Sequence, residues 1–497
     1  MKRLLNSIAY LSIVLATMLC SCVAEEPQSP TDTEREGTYL SLRIGGRGFS
    51  GSRAGVAEGY DREDALRNEN TIYNLTLFFL RGATDINDDD ANIYGAHYIG
   101  RSPDLHEGGE ARYTVDIPDL KPMPGDRVIV VVNMGDLSGI GSAPALREAT
   151  SRGWRESGSL AEYDMFAMSS CRTDDGYIVN PLAGSTSAAG SRENPLSVSV
   201  SVERLAARID LWFDRKNIEG DKLAYNTSGG TGRVYVTDVA PTNVMKQPTY
   251  VLKHVSAGTG SLGPVTVCGE EYLGDDGLPS NYVVEPTSTR KGDATLLEGW
   301  YGDSRAGLFE SPAPMVRWYP LGGFLGDSRL LQNTKGEHEV AMTIAYANEN
   351  TYEASAATAD HVTGLAVKAV FTPDGMAYGQ DFWRVAAADL DENKSRYFGS
   401  EAEARDFAAS NAGYLSPVHY PGGVCYYSIW LRHRLENTSE ELVYPMEFGT
   451  VRNHIYRVGF GFRGPGTTHI DIKKPEQHVA ELYVREWNFR RLGSIIM

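Results

Sequence analysis

The residues of this chain whose type and spacing admit chemistry gather near its start. Cys22 follows the small Ser21 in Leu19-Cys20-Ser21-Cys22, at the end of a short apolar run from Leu11 to Leu19 that is preceded by Lys2 and Arg3. A positive end, an apolar stretch too short to span a bilayer, a small residue and a cysteine make up the layout of a bacterial lipobox, in which the thiol is lipidated. Cys20, behind the bulky Leu19, suits that reaction less well, and the alternative is a plain secretory signal. Some twenty-five residues on, Arg47 and Arg53 lie in Gly45-Gly-Arg-Gly-Phe-Ser-Gly-Ser-Arg53-Ala54. Exposed loops of small residues are where proteases cut, so the chemistry expected there is hydrolysis after either arginine by a trypsin-like enzyme.

Other patterns fail their own tests. Gly258-Thr-Gly260-Ser-Leu-Gly263 satisfies G-x-G-x-x-G, but Pro264 and the strand-like Val265-Thr-Val267 follow it where a phosphate-binding helix would have to begin. His106-Glu-Gly-Gly-Glu110 is not H-E-x-x-H, and Gly48-Phe-Ser50-Gly-Ser52 lacks the last glycine of a nucleophile elbow. Asp85, Asn87 and Asp89 open like a calcium loop, which then fails at Asp90 and Ala96. His433 and His454 sit beside expected strands, where a hydrogen-bonded structural role is the expectation. Cys171, Cys268 and Cys425 are far apart and odd in number, so they read as buried free thiols. No catalytic residue, metal or cofactor is expected, and no enzyme.

The elements that position these groups are strands. Leu40, Leu42 and Ile44 alternate with Tyr39, Ser41 and Arg43, the period of a half-buried strand, and Gly45-Gly46 stops it. A cut at either arginine would detach this strand from everything downstream. Ile72 to Leu80 is expected to be a strand lying near it, and Arg127 to Asn133 a central strand buried on both faces. Pro144 to Met168 is the expected helical connection. Leu196, Val198, Val200 and Val202 alternate cleanly, then the apolar spacing slips by one to Leu205, Ala207, Ile209, Leu211 and Phe213, which implies a bulge or a crossing between sheets at Glu203-Arg204. The polar, Gly-rich stretch Asp214 to Gly232 is the expected domain boundary. Further strands are expected at Arg233–Val239, Thr249–His254, Val340–Tyr346, Gly364–Phe371, Gly423–Arg432, Asn453–Phe462 and Val479–Phe489.

Length and composition agree with that picture. The 497 residues exceed one ordinary core, and 52 Gly with 27 Tyr and few helix-period patterns favour an all-β fold with many turns. A net charge of −18 without a basic stripe speaks against nucleic acid as a partner. The organisation read from these features is residues 1–22 as signal, 23–53 as tether and removable first strand, 54–215 as one domain and 216–497 as a second.

Three runs in the second half carry a resemblance. Cys425-Tyr-Tyr-Ser-Ile-Trp-Leu-Arg-His433, Pro445-Met-Glu-Phe-Gly-Thr-Val-Arg-Asn-His-Ile-Tyr456 and Gly464-Pro-Gly466 resemble the C-terminal domain of Bacteroidia-type fimbrillins, the type V pilus subunits, with the nearest likeness to the major subunit of Mfa-type minor fimbriae. Tyr346 to Thr351, Thr363 to Lys368 and Val202 to Arg208 support it, the last only weakly. The resemblance implies two transthyretin-like β-sandwich domains with long loops and few short helices. It implies an exported lipoprotein of the outer membrane, anchored through Cys22, whose first strand, with Leu40, Leu42 and Ile44, is removed by an arginine-specific protease cutting at Arg53-Ala54 by preference and at Arg47 second. A neighbouring subunit then fills the vacated place. The donor would be the last strand, with Leu482, Val484, Trp487 and Phe489, continuing to Ile495 and Ile496, unless that strand only finishes its own sheet. A vacated strand position leaves backbone N–H and C=O groups unpaired beside apolar pockets, so strand addition is its natural remedy, and a head-to-tail contact of this kind builds filaments.

The function so implied is a structural subunit of a surface fimbrium that supports adhesion, with other subunits, the processing protease and host or bacterial receptors as partners. The alternatives are a tip adhesin or membrane-anchor subunit, and a surface glycan- or protein-binding β-sandwich lipoprotein.

Overall fold

The computed structural model describes residues 38–45, 62–64, 69, 71–82, 86, 91–100, 111–154, 165–171, 180–184, 189–245, 247–256, 265–267, 270–272, 282–287, 318–325, 331–333, 339–351, 361–433, 448–470 and 480–488. Over these the fold is all-β with few short helices. Its principal strands, numbered in chain order, are β1 (Thr38–Gly45), β2 (Arg62–Asp64), β3 (Leu75–Arg81), β4 (Asn92–Ile99), β5 (Ala111–Ile117), β6 (Arg127–Val132), β7 (Met168–Ser170), β8 (Leu196–Arg204), β9 (Ala207–Asp214), β10 (Gly232–Thr242), β11 (Glu339–Ala347), β12 (Gly364–Pro373), β13 (Val424–Trp430), β14 (His454–Phe460) and β15 (Ala480–Asn488).

Three large sheets result. The first runs β4-β3-β6-β7-β8-β1-β5; the second runs β2-β15-β14-β9-β11 and ends on Leu331–Asn333; the third holds β10, β12 and β13 beside the hairpin Ile218–Glu219/Lys222–Asn226. β8 bends the first sheet over on itself, pairing with β1 through Leu196–Ser201 and with β7 through Val202–Arg204. The two halves then face one apolar core made by Leu40, Leu42 and Ile44 on one side and Leu77, Phe79, Val128 and Val130 on the other. β6 is buried on both faces as its unbroken apolar run demands: Ile129 and Val131 turn away from that core toward Leu146 of the helix α1 (Ala143–Arg147) and toward Val251. The second and third sheets enclose another core, with Ile209, Leu211, Val234, Met342, Val367 and Val458.

The slip in apolar spacing is a crossing. β8 belongs to the first sheet and β9 to the second, and the two residues between them, Leu205 and Ala206, carry the chain across. β9, which a division at 215/216 groups with the N-terminal part, pairs with β11 and β14 and has its apolar side chains in the second core. The stretch expected to be a boundary loop forms the hairpin at the rim of the third sheet.

Three expectations need correction. β3 does not pair beside β1: along the sheet β6, β7 and β8 stand between them, and β3 meets β1 only across the core, because a strand's own pattern fixes its faces and not its neighbours. Among the described residues the helix of the 144–168 connection is the five residues of α1, started by Ser142, whose side chain accepts from the Ala145 amide. Thr249–His254 is not one strand: two residues pair at Thr249–Tyr250 and a separate short strand starts at His254. The longest helix among the described residues, α2 (Glu401–Ser410), was not expected, although Ser400, which accepts from the Glu403 amide, stands three residues before that glutamate as in a capping box.

Candidate functional site

β1 is an interior strand of the first sheet, and its seat is the candidate site. It runs parallel to β8, with Leu40, Leu42 and Ile44 opposite Leu196, Val198 and Val200, and antiparallel to β5, with Leu40 opposite Val115 and Thr38 opposite Ile117. Alternation puts Leu40 (0% exposed), Leu42 (0%) and Ile44 (1%) into the core, while Ser41 and Arg43 stay partly exposed. The entry to the seat is tight. The Tyr39 amide donates to Gly190 O at 2.8 Å, and Gly190 has φ +101°, where a Cβ would stand 3.1 Å from Thr38 Cγ2. Burying three such side chains is worth roughly 5–9 kcal/mol, at about 1.5–3 kcal/mol each. That is of the order of a whole domain's stability, so this seat has to be filled by something.

A second region is buried in a different way. Arg208 of β9 lies between two carboxylates, at 3.0 Å from Glu69 Oε2 and 2.9 Å from Asp210 Oδ2, with all three side chains fully buried. Tyr346 OH donates to Glu69 Oε1 at 2.6 Å, Thr343 Oγ1 to Asp210 Oδ1 at 2.9 Å, and Arg457 approaches Asp210 at 3.5 Å. Arg204, at the end of β8, donates to the Glu69 carbonyl at 3.0 Å. Burial pulls Arg204 down to about 9 against the opposing pull of Glu69, and pushes the Tyr346 hydroxyl well up. Nearby, Arg452 holds Glu349 through two contacts of 2.7 Å and also donates to the Tyr250 and Val251 carbonyls. Burial works to raise the Glu349 pKa, but the Arg452 guanidinium and the Thr249 hydroxyl outweigh it and hold the carboxyl below its usual range. These groups join the first sheet to the second, and Glu69 ties in the chain just beyond β2.

The motif residues behind the resemblance therefore meet in space: Arg204 and Arg208 from one run, Tyr346 and Glu349 from another, Arg452 and Asn453 from a third. Sequence reading found the runs and missed their partner Glu69, a lone acid in a polar stretch with no pattern to mark it. His433 Nδ1 lies 2.8 Å from Tyr456 OH and His454 Nδ1 lies 2.7 Å from the Arg452 carbonyl, so both histidines are hydrogen-bonded inside the fold. Cys171 and Cys425 are buried and in no disulfide, and the Cys425 thiol donates to the Tyr427 hydroxyl at 3.6 Å. Among the described residues no group of three or more His, Cys, Asp and Glu side chains is disposed to hold a metal.

Of the other expected site residues, Cys22, Arg47, Arg53, Ala54, Phe489, Ile495 and Ile496 lie outside the described residues, as do Cys268 and the 106–110, 258–263 and 48–52 patterns. Leu482, Val484 and Trp487 fall in β15, whose backbone pairs antiparallel with β14 and, through Glu486–Asn488, parallel with β2.

Residues 418–488 match the family model "Major fimbrial subunit protein type IV, Fimbrillin, C-terminal", so this C-terminal region is similar to the fimbrillins. Among solved structures it is similar to a fimbrilin (FimA) of Porphyromonas gingivalis, at 14% identity and a TM-score of 0.38 over 91% of this chain and 98% of that one. It is also similar to the tip fimbrial protein Mfa3 of the same organism, at 9% identity and a TM-score of 0.35 over 90% and 99%. No curated protein sequence matches the chain.

Proposed function

We propose that the chain is a structural subunit of a cell-surface fimbrium, exported as a lipoprotein through Cys22 and made ready for assembly when a protease cuts after Arg53 or Arg47 and β1 leaves. The observation that carries this reading is the place of β1. It fills an interior position between β8 and β5, and it is the first strand among the described residues, so a single downstream cut frees it from all that follows. Its departure exposes ladder groups on both neighbours and the pockets of Leu40, Leu42 and Ile44, which a strand of a second subunit satisfies. We assign the donor to the C-terminal segment, with Leu482, Val484, Trp487, Phe489, Ile495 and Ile496. Since β15 is paired within its own sheet, donation requires either its release from β14 or the use of residues beyond Asn488.

The domain organisation proposed with this reading is signal 1–22, propeptide 23–53 and two β-sandwich units whose cores change over between Ala206 and Ala207. A second reading, a membrane-anchor subunit that keeps β1 and its lipid, is favoured by the full seating of β1 and the pairing of β15 at home. The N-terminus and intact mass of protein sheared from cells decide between them. A chain beginning at Ala54 or Gly48 without lipid supports the assembled subunit; one beginning at acylated Cys22 overturns it in favour of the anchor.

A further inference from the structure

We propose that β5 is a strap that seals the seat of β1 once β1 has left, so that an incoming strand reaches β8 by displacing β5 rather than by entering an open slot. The inference rests on the processing reading above and concerns what the cut chain does before a partner arrives.

Among the described residues β5 has one ladder partner, β1, and it ends the sheet. Loss of β1 therefore strips β5 of all its strand pairing and β8 of its pairing along Leu196–Ser201. Yet β5 is tied to the core. Ile117 is 0% and Val115 8% exposed, and just beyond them Leu120 lies over Gly95 of β4, so closely that a Cβ on that glycine would stand 2.3 Å from Leu120 Cδ2. A strand held at its C-terminal end and unpaired along its length has, among the described residues, the edge of β8 that β1 has left as the surface next to it to pair with.

Direction and register both permit that pairing. β1 runs parallel to β8 and antiparallel to β5, so β5 is antiparallel to β8, the slightly more stable arrangement. Leu40 stands opposite both Leu196 and Val115, and Ser41 opposite both Ser197 and Thr114. A sideways shift of one strand spacing, about 4.8 Å, thus sets Val115 beside Leu196 and Thr114 beside Ser197. Val115 keeps facing the core, with no slip of the kind that would turn it outward. The shift pairs the exposed edge groups, which protects the cut chain from unspecific strand addition. It leaves the volume of Leu40, Leu42 and Ile44 unfilled, so the seal is weaker than a seated strand and yields to one that brings three apolar side chains.

Thr114→Cys with Ser197→Cys, in the full chain carrying a unique protease site between Gly46 and Arg53, tests this. Both positions are exposed. With β1 seated they are two spacings apart, about 9.6 Å, beyond the roughly 7 Å that a disulfide can bridge. The expected result is no bridge in the intact chain under mild oxidant and an intramolecular bridge in most chains after cutting and removal of the fragment, prevented by adding back a peptide of residues 37–46. A cut, fragment-free chain that keeps both thiols overturns the strap. Hydrogen exchange gives a second readout: β5 amides that stay protected after strand loss support the seal, and amides that exchange freely overturn it. Failure of the processing reading is distinct, since a bridge that forms in vitro while cells never cut the chain removes that reading and leaves the strap intact.

Discussion

The apolar face of β1 and the Glu69–Arg208 junction are both buried, and they are built of opposite materials. The seat is held by three aliphatic side chains and two backbone ladders, interactions that any strand of suitable alternation can repeat. The junction is held by charges in fixed geometry, where each guanidinium and carboxylate needs its own set of partners. Non-directional contacts suit a part that is to be exchanged. Directional ones suit a part that must stay in place, and Glu69 holds the chain downstream of the expected cuts.

The largest effect expected from breaking this contrast is on assembly. Replacing Arg47 and Arg53 together by Ala should abolish filament formation and leave folded, lipidated monomer in the membrane fraction; normal filaments from that variant would sink the exchange reading. Next is Arg208→Ala, which strands Glu69 and Asp210 as buried carboxylates and should cost about 3–5 kcal/mol in denaturant unfolding. A loss below about 1 kcal/mol would mean that the junction is not the fixed point described. Leu42→Ala sharpens the comparison further: it should destabilise the uncut chain by about 3 kcal/mol, yet leave the chain that has lost β1 unchanged, because the altered residue is no longer part of it.

The smallest and most gradual effect is that of pH. Burial pushes His454 down to about 4 from an ordinary 6.5, so the native state keeps it neutral where the unfolded chain protonates it. Stability from this source is complete above pH 6.5 and declines as pH falls toward 4, by at most about 3 kcal/mol. Glu349, depressed when folded, adds a loss only below the usual carboxylate range. Leu40, Leu42 and Ile44 carry nothing that titrates. Unfolding followed by probes in each sheet should therefore show the steeper acid limb around β14; burial also depresses His97 of β4, which gives the sheet of β1 an acid limb of its own, and an equal slope in both would erase the distinction.

The sequence by itself determined the parts whose signal is local. The alternation in Tyr39–Ile44 and Leu196–Val202, the unbroken run of Arg127–Val132 and the slip before Leu205 each announce a face, a depth or a crossing, because burial acts on one strand at a time. It also supplied Cys22, Arg47 and Arg53, whose expected chemistry needs only a type and a neighbour. Tertiary structure alone decided that β1 lies between β8 and β5 instead of beside β3, since partners are chosen by the topology of the whole sheet. It alone paired Glu69 with Arg208, 139 residues away, because a buried charge is tolerated only where folding delivers its counter-charge, and no local pattern records that meeting.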